Sequence, residues 1–279
     1  MAETVESYEI DSIDRREVLR YLGYTGQPLM PELDARIDGV VASALALARP
    51  RGCVAVFDVD EGRSELPAAS RAEEDLDAAG AASPAPSGSP APLVAGSNDP
   101  ASAGREDASA PIIRLKGTAL ELRGHSIVEH LAGARAVGVM AVTIGMGIER
   151  ELRRLSLTDS VAQVIFDSCG STIVERAADA AEASLMARAR ERGLYTNSRF
   201  SPGYGDLPMS TQPVLLSALN AQRRLGVTLT STLLMTPTKS VSALVGMFDR
   251  PQPSGHHSCK GCLCFDFCNI RPTGRTCRD

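Results

Sequence analysis

Two stretches of this sequence carry residue types that can do chemistry. The first is Arg199-Phe-Ser-Pro-Gly-Tyr204-Gly-Asp-Leu-Pro208, which sets a fixed cation and a phenol among two glycines that let a ligand approach the backbone. Such parts suit a zwitterionic small molecule: Arg199 for a carboxylate in a two-pronged pair, Ser201 and Gly203 for main-chain contacts, Tyr204 for a hydrogen bond or stacking. The bland alternative is an ordinary surface turn that happens to contain an arginine. The second is Cys259-x-x-Cys262-x-Cys264-x-x-x-Cys268, four soft ligands within ten residues, with Cys277 further on. That density favours zinc or an iron-sulfur cluster, although it matches no standard finger spacing. The single-residue gap between Cys262 and Cys264 is awkward for one tetrahedral site, so one of them is spare or Cys277 joins the set. Redox-active thiols and plain unmetallated cysteines are the other two readings.

The elements that must position these residues are legible from periodicity. Helices are expected over Asp14 to Leu22, closed by Gly23, and over Pro31 to Ala48, stopped by Pro50, with Leu33, Ile37, Val40, Ala44 and Leu47 on one face. A strand follows over Cys53 to Asp60. Residues 61 to 110 then hold six prolines, many Ala, Ser and Gly, and no aromatic residue. They read as a disordered insertion within one domain, because they bury too little apolar surface to offset the entropy of ordering. Short strands resume over Pro111 to Leu115 and Ala119 to Gly124, and Ser126-x-x-Glu129 has the form of a capping box opening a helix. Val137 to Gly145 is a buried-strand candidate that turns through Gly145-Met-Gly147 into a helix. A long helix over Asp159 to Arg192 places Ala162, Ile165, Phe166, Cys169, Ile173, Ala177 and Ala180 on one side.

From Arg199 the helical pattern stops, since a Gly and Pro loop cannot continue it. Ser210 is expected to cap a helix through Arg224, ended by Gly226, with strands over Val227 to Met235 and Ser240 to Phe248 around Pro237. Strict βαβ alternation is missing. The expected class is therefore mixed α/β (α+β), a sheet of substantial antiparallel content with flanking helices. The organisation is 1–60, the N-terminal part of the domain; 61–110, the insertion; 111–250, its main part; and 251–279, the cysteine-rich tail.

Composition narrows the function. A chain of 279 residues, 43% hydrophobic, can bury a substantial core, and a net charge of -5 gives no general reason to expect nucleic acid or an acidic membrane. No run of 18 apolar residues exists and the first fifteen residues lack a secretory pattern, so a cytoplasmic location is expected, where seven cysteines point to thiols or metal ligands rather than disulfides. Cys169 on an apolar helical face belongs to the core. Gly145-x-Gly147 lacks the third glycine of a dinucleotide fingerprint and reads as a tight turn. Arg188 to Arg192 reads as a solvated helix end, and His125, His130, His256 and His257 as surface or locally bonded residues, the last two a weak metal-ligand pair.

Arg199-x-Ser-Pro-Gly-Tyr204-x-x-x-Pro208, followed by a helix and then Leu229-Thr-x-x-x-x-Met235-x-Pro237-x-x-Ser240-Val-Ser242, resembles the activation domain of cobalamin-dependent methionine synthase. Arg16-Glu-Val-Leu-Arg-Tyr-Leu-Gly-Tyr24 and Val142-Thr-Ile-Gly145 are similar to short, free-standing members of that family. The resemblance implies a C-shaped α/β fold around a twisted, largely antiparallel sheet with flanking helices, and a reactivation role. Cobalamin oxidised to cob(II) is re-reduced and then remethylated from S-adenosylmethionine, bound by the 199–204 loop with Arg199 on its carboxylate and Tyr204 near its amino acid portion. No catalytic residue is implied, because cob(I) is a strong nucleophile and the sulfonium a good leaving group.

Two departures bear on the site: Ser231 stands where the family often has Glu, and the cysteine tail replaces the family's tyrosine-containing C-terminal strand. The chain also holds no Asp-x-His-x-x-Gly, the motif whose histidine ligates cobalt. A corrinoid-binding methionine synthase protein and an electron donor protein are therefore the expected partners. The alternative is a metal- or redox-tail docking protein that serves a different corrinoid methyltransferase system.

Overall fold

Two long apolar runs build the centre of the molecule. In the computed structural model, which describes residues 4–24, 26, 28–64 and 109–252, they form strands β5 (Ala136–Thr143) and β9 (Ser240–Phe248). The strands pair antiparallel from Ala136↔Met247 to Thr143↔Ser240. All eight residues of β5 are buried. The reason is cover on both faces: Ala136, Met140 and Val142 enter one core, whereas Val137, Val139 and Ala141 enter another. A strand so covered loses the apolar-polar alternation of a half-exposed one.

Strand β2 (Arg51–Asp58) pairs with the other edge of β5, and β1 (Thr4–Ser7) pairs with β2. With the short β6 (Tyr195–Thr196) beside β9, the order is β1-β2-β5-β9-β6, antiparallel at every pairing. This is the expected sheet. Strands β3 (Ile112–Arg114) and β4 (Glu121–Arg123) make a separate hairpin.

The first core lies under helices α1 (Arg15–Tyr21), α2 (Pro31–Leu47), α4 (Met146–Thr158) and α5 (Ser160–Glu191). Asp14 caps α1 by accepting from the N–H of Arg16, and Gly23 closes it at φ 78°. Helix α5 has 32 residues, about 48 Å at 1.5 Å each, so it runs the full width of the sheet. Asp159 accepts from the N–H of Ala162 at its start. Phe166, Cys169, Ile173, Ala177, Ala181 and Leu185 are fully buried on its inner side. Leu185 lies so close over β5 that a Cβ on Gly138 would sit 2.9 Å from its methyl groups. Burial pushes the Cys169 thiol up to about 12, which keeps it an inert core residue, as expected.

The second core lies on the opposite face, under α3 (His125–His130), α6 (Thr211–Ala218) and α7 (Ala221–Leu225). Three local expectations change here. The region 210–224 is two helices, because Asn220 adopts the left-handed conformation at φ 50°, which asparagine tolerates, and Ser210 makes no capping bond. Residues 227–235 are no continuous strand. Thr228–Leu229 (β7) and Met235–Thr236 (β8) pair across a turn in which the Thr230 hydroxyl accepts from the N–H of Leu234. Such threonine bonds compete with a sheet ladder. Ser231 is exposed on this turn. Finally, the Ser126 capping box does not form, since α3 begins at His125, before the serine.

The helix end 188–192 is also less solvated than expected. Arg188 reaches Glu6 of β1 at 3.0 Å and Arg192 reaches Asp58 of β2 at 2.6 Å, so both arginines tie α5 to the far strands. Of the insertion, residues 65–108 lie outside the described residues. Its two ends are joined, because Val59 bridges Leu115 and the Ser64 hydroxyl accepts from the N–H of Arg114 at 2.9 Å.

Gly145, at φ 87°, turns β5 into α4 as the tight turn anticipated. A Cβ on Gly147 would lie 2.9 Å from the carbonyl oxygen of Leu47, whereas one on the exposed Gly39 of α2 meets nothing within 4 Å. Gly147→Ala is therefore expected to destabilise by about 1–3 kcal/mol. Gly39→Ala is expected to stabilise by about 0.5–1 kcal/mol, both read from urea unfolding midpoints.

Candidate functional site

The 199–208 loop leaves the sheet at the β9 edge. Asn197 extends the β6–β9 pairing through its side chain, accepting from the N–H of Gly246 at 2.8 Å and donating to the carbonyl of His130 at 2.7 Å. Phe200 then forms a two-bond bridge with Leu244, at 2.9 and 2.8 Å. Successive side chains on extended backbone point to opposite faces. Arg199 accordingly turns toward α5, in the first core, and Phe200 packs on the second core.

Arg199 meets three carboxylates on one stripe of α5, spaced four and three residues apart. Its guanidinium lies 2.7 Å from Asp179, 3.0 Å from Glu182 and 3.3 Å from Glu175, and only 19% of its side chain is exposed. Burial raises the Glu175 carboxyl above its ordinary range, even though Arg199 opposes that shift. The cluster carries more negative than positive charge. It can therefore receive an ammonium or sulfonium as well as offer its guanidinium to a carboxylate, which would have to share Arg199 with Asp179.

Tyr204 stands on the other side. The residue is 60% exposed; its ring meets Phe200 edge-on at 6.4 Å, and the Phe200 ring in turn lies 5.0 Å from the His130 ring. Arg199 and Tyr204 therefore flank the sheet edge, and one ligand touching both must straddle the loop backbone. The main-chain groups proposed for binding are partly engaged inside the loop. Gly203, at φ 90°, donates its N–H to the Leu207 carbonyl at 2.8 Å, and the Ser201 carbonyl accepts from the N–H of Tyr204 at 3.1 Å. Pro202 and Leu207 are buried and anchor the turn, while residues 203–206 form its exposed tip.

The residues that hold this tip were not among the expected ones. Asp206 accepts from the N–H of His125 at 2.6 Å and of Ser126 at 2.9 Å, so it supplies the start of α3 with the cap expected from Ser126. Burial alone would raise the Asp206 carboxyl, but these two amides and the Ser126 hydroxyl outweigh it and leave the group below its ordinary range. His130, at the other end of α3, directs its Nε2 at the Ser198 carbonyl at 2.9 Å, the nitrogen donating. His130 thus fits the locally bonded reading. Cys259, Cys262, Cys264, Cys268 and Cys277, with His256 and His257, lie outside the described residues. Among the described residues no group of three or more His, Cys, Asp or Glu is placed to hold a metal ion.

A solved structure places this geometry among known folds. The MetH reactivation domain, crystallised bound to AdoHcy, superposes with a TM-score of 0.52, covering 99% of this chain and 87% of that one at 14% identity. The fold is shared. The family model described as vitamin B12 dependent methionine synthase, activation domain, matches residues 126–254, which span α3 through β9 and contain the whole 199–208 loop. Over those residues, a little under half of the chain, the sequence is similar to that activation-domain family. No curated protein matches the chain. No described helix is long and apolar enough to cross a membrane.

The charge cluster around Arg199 makes a pH prediction. Glu175 in the folded protein binds its proton more tightly than at its ordinary value of 4.5, so the fold loses stability as pH rises through the range above that value. Arg199→Ala removes the cation that opposes this loss. It should destabilise the protein more at pH 7 than at pH 5 in urea unfolding; an equal loss at both would mean that the three carboxylates do not feel Arg199.

Proposed function

We propose that this activation domain binds S-adenosylmethionine at the β9-edge loop and supplies its methyl group for reductive remethylation of cobalamin on a separate corrinoid-binding methionine synthase protein in the cytoplasm. The observation that carries this reading is the half-buried Arg199 beside Asp179, Glu182 and Glu175. A guanidinium among excess carboxylates matches a ligand that carries a carboxylate, an ammonium and a sulfonium. Tyr204, exposed at the loop tip, supplies a stacking and hydrogen-bonding surface at the same edge.

The chemistry asks little of side chains. An electron donor protein reduces cob(II) to cob(I). The cobalt electron pair then forms the bond to the methyl carbon, while the carbon–sulfur bond breaks with its pair going to sulfur. No proton moves, so no general base is assigned. The domain's contribution is positioning, which can supply several kcal/mol of a barrier. An exposed loop tip suits that task, since the methyl group must face a cobalt held by another protein.

Calorimetry with S-adenosylmethionine is expected to show saturable binding. Arg199→Ala should weaken it at least about tenfold, the scale of a lost charge-assisted pair. Equal binding by wild type and variant would remove the basis of this reading.

The cysteine tail belongs to the same proposal. Cys259, Cys262, Cys264 and Cys268 are assigned to a zinc ion or an iron-sulfur cluster, on the density of thiolate ligands alone. A cluster would offer a route for the electron that reactivation consumes. Anaerobically purified full-length protein should carry stoichiometric zinc or iron, lost in a variant with all four cysteines changed to serine. Metal-free protein with full methyl-donor binding would leave the tail outside the function.

A further inference from the structure

The short helix α3 touches the methyl-donor loop at both ends, and nothing in the proposed binding chemistry requires it to. At its start, Asp206 from the loop tip accepts the N–H groups of His125 and Ser126 at 2.6 and 2.9 Å. The approach is close on both sides. A Cβ on Gly124, at φ 142°, would lie 2.5 Å from the Asp206 carboxylate, and one on Gly205, at φ 53°, would lie 2.6 Å from the Ser126 hydroxyl. Two glycines in conformations that side chains rarely adopt thus make room for one interlocked contact. At its end, the His130 ring donates to the Ser198 carbonyl and its own carbonyl accepts from Asn197. Loop residues 197–206 are therefore held at both ends by six residues of α3, with Ile127, Val128 and Leu131 buried in the second core as its footing.

We propose that α3 is the splint of the donor loop and that Asp206 is its positioning residue, fixing Gly203 and Tyr204 in the conformation that meets the methyl donor. This rests on the reading of the loop as the S-adenosylmethionine site. The Asp206 carboxylate touches no ligand in this role. It acts through the backbone, by preventing the tip from hinging away about Pro202, and a preformed loop binds without the entropic cost of ordering.

The test pairs two measurements on the full chain: calorimetry with S-adenosylmethionine, and hydrogen exchange at the amides of Gly203 and Leu207, which are bonded within the loop at 2.8 and 3.1 Å. Asp206→Ala should raise both the exchange rates and the dissociation constant about tenfold, as expected for losing hydrogen bonds to a charged acceptor. Asp206→Asn, whose amide oxygen still accepts, should fall between. Gly205→Ala, which wedges the same contact from the other side, should reproduce the alanine phenotype and stands in if Asp206→Ala does not fold. Wild-type exchange in Asp206→Ala or Gly205→Ala overturns the splint, and so does faster exchange with wild-type affinity. If wild-type protein binds no S-adenosylmethionine, the donor reading falls, and the exchange rates alone decide whether α3 holds the loop.

Discussion

Phe200 exchanges two hydrogen bonds with Leu244 in the ninth strand, and the site depends on that pairing. A single bridge fixes both direction and facing. It sends Arg199 under the sheet to the acidic stripe of α5, turns Phe200 into the opposite core, and leaves the following residues to arch over the edge as an exposed tip. Had the loop paired one residue out of register, the guanidinium would face the second core, away from the acidic stripe of α5. The bridge is in turn only as fixed as β9, which is buried along nearly its whole length between β5 and two apolar layers.

The division of labour between the faces follows from this arrangement. The first core is large and dominated by one long helix whose small residues allow it to lie close on the sheet, with Gly138 and Leu185 in contact distance. That helix is a rigid bar, and it carries the carboxylates that surround Arg199. The second core is made of short helices and hairpins, and it grips the loop through α3. Charge is thus presented from the rigid side, while the shape of the loop is set from the side built of short pieces.

Much of this was legible in the residues. The continuous apolar runs of 137–145 and 240–248 announced central strands, the small-residue face of 159–192 announced the long helix, and the Gly and Pro punctuation of 199–208 announced the loop. Much of what escaped was non-local. Ser126-x-x-Glu129 has the pattern of a capping box, but Asp206, 80 residues away, accepts from the N–H groups of His125 and Ser126 and caps the helix in its place. The run 227–235 has the composition of a strand, yet Thr230 bonds within its own turn, and Asn220 breaks a helix whose apolar pattern continues. The placement of Arg199 and Tyr204 on opposite sides of the edge follows from one bridge to a strand 44 residues downstream, which no local pattern records. The carboxylates around Arg199 were visible as acidic residues on a helix, but their convergence was not.

The most direct measurement mixes this protein with the candidate corrinoid protein in its cob(II) form, a low-potential reductant and methyl-labelled S-adenosylmethionine. The cob(II) absorbance and the label are then followed together. The expected result is loss of cob(II) absorbance with transfer of label to cobalamin, at a rate proportional to the amount of this protein and abolished by Arg199→Ala. Label transfer at the same rate without this protein, or with the variant, would contradict a donor role for the β9-edge loop.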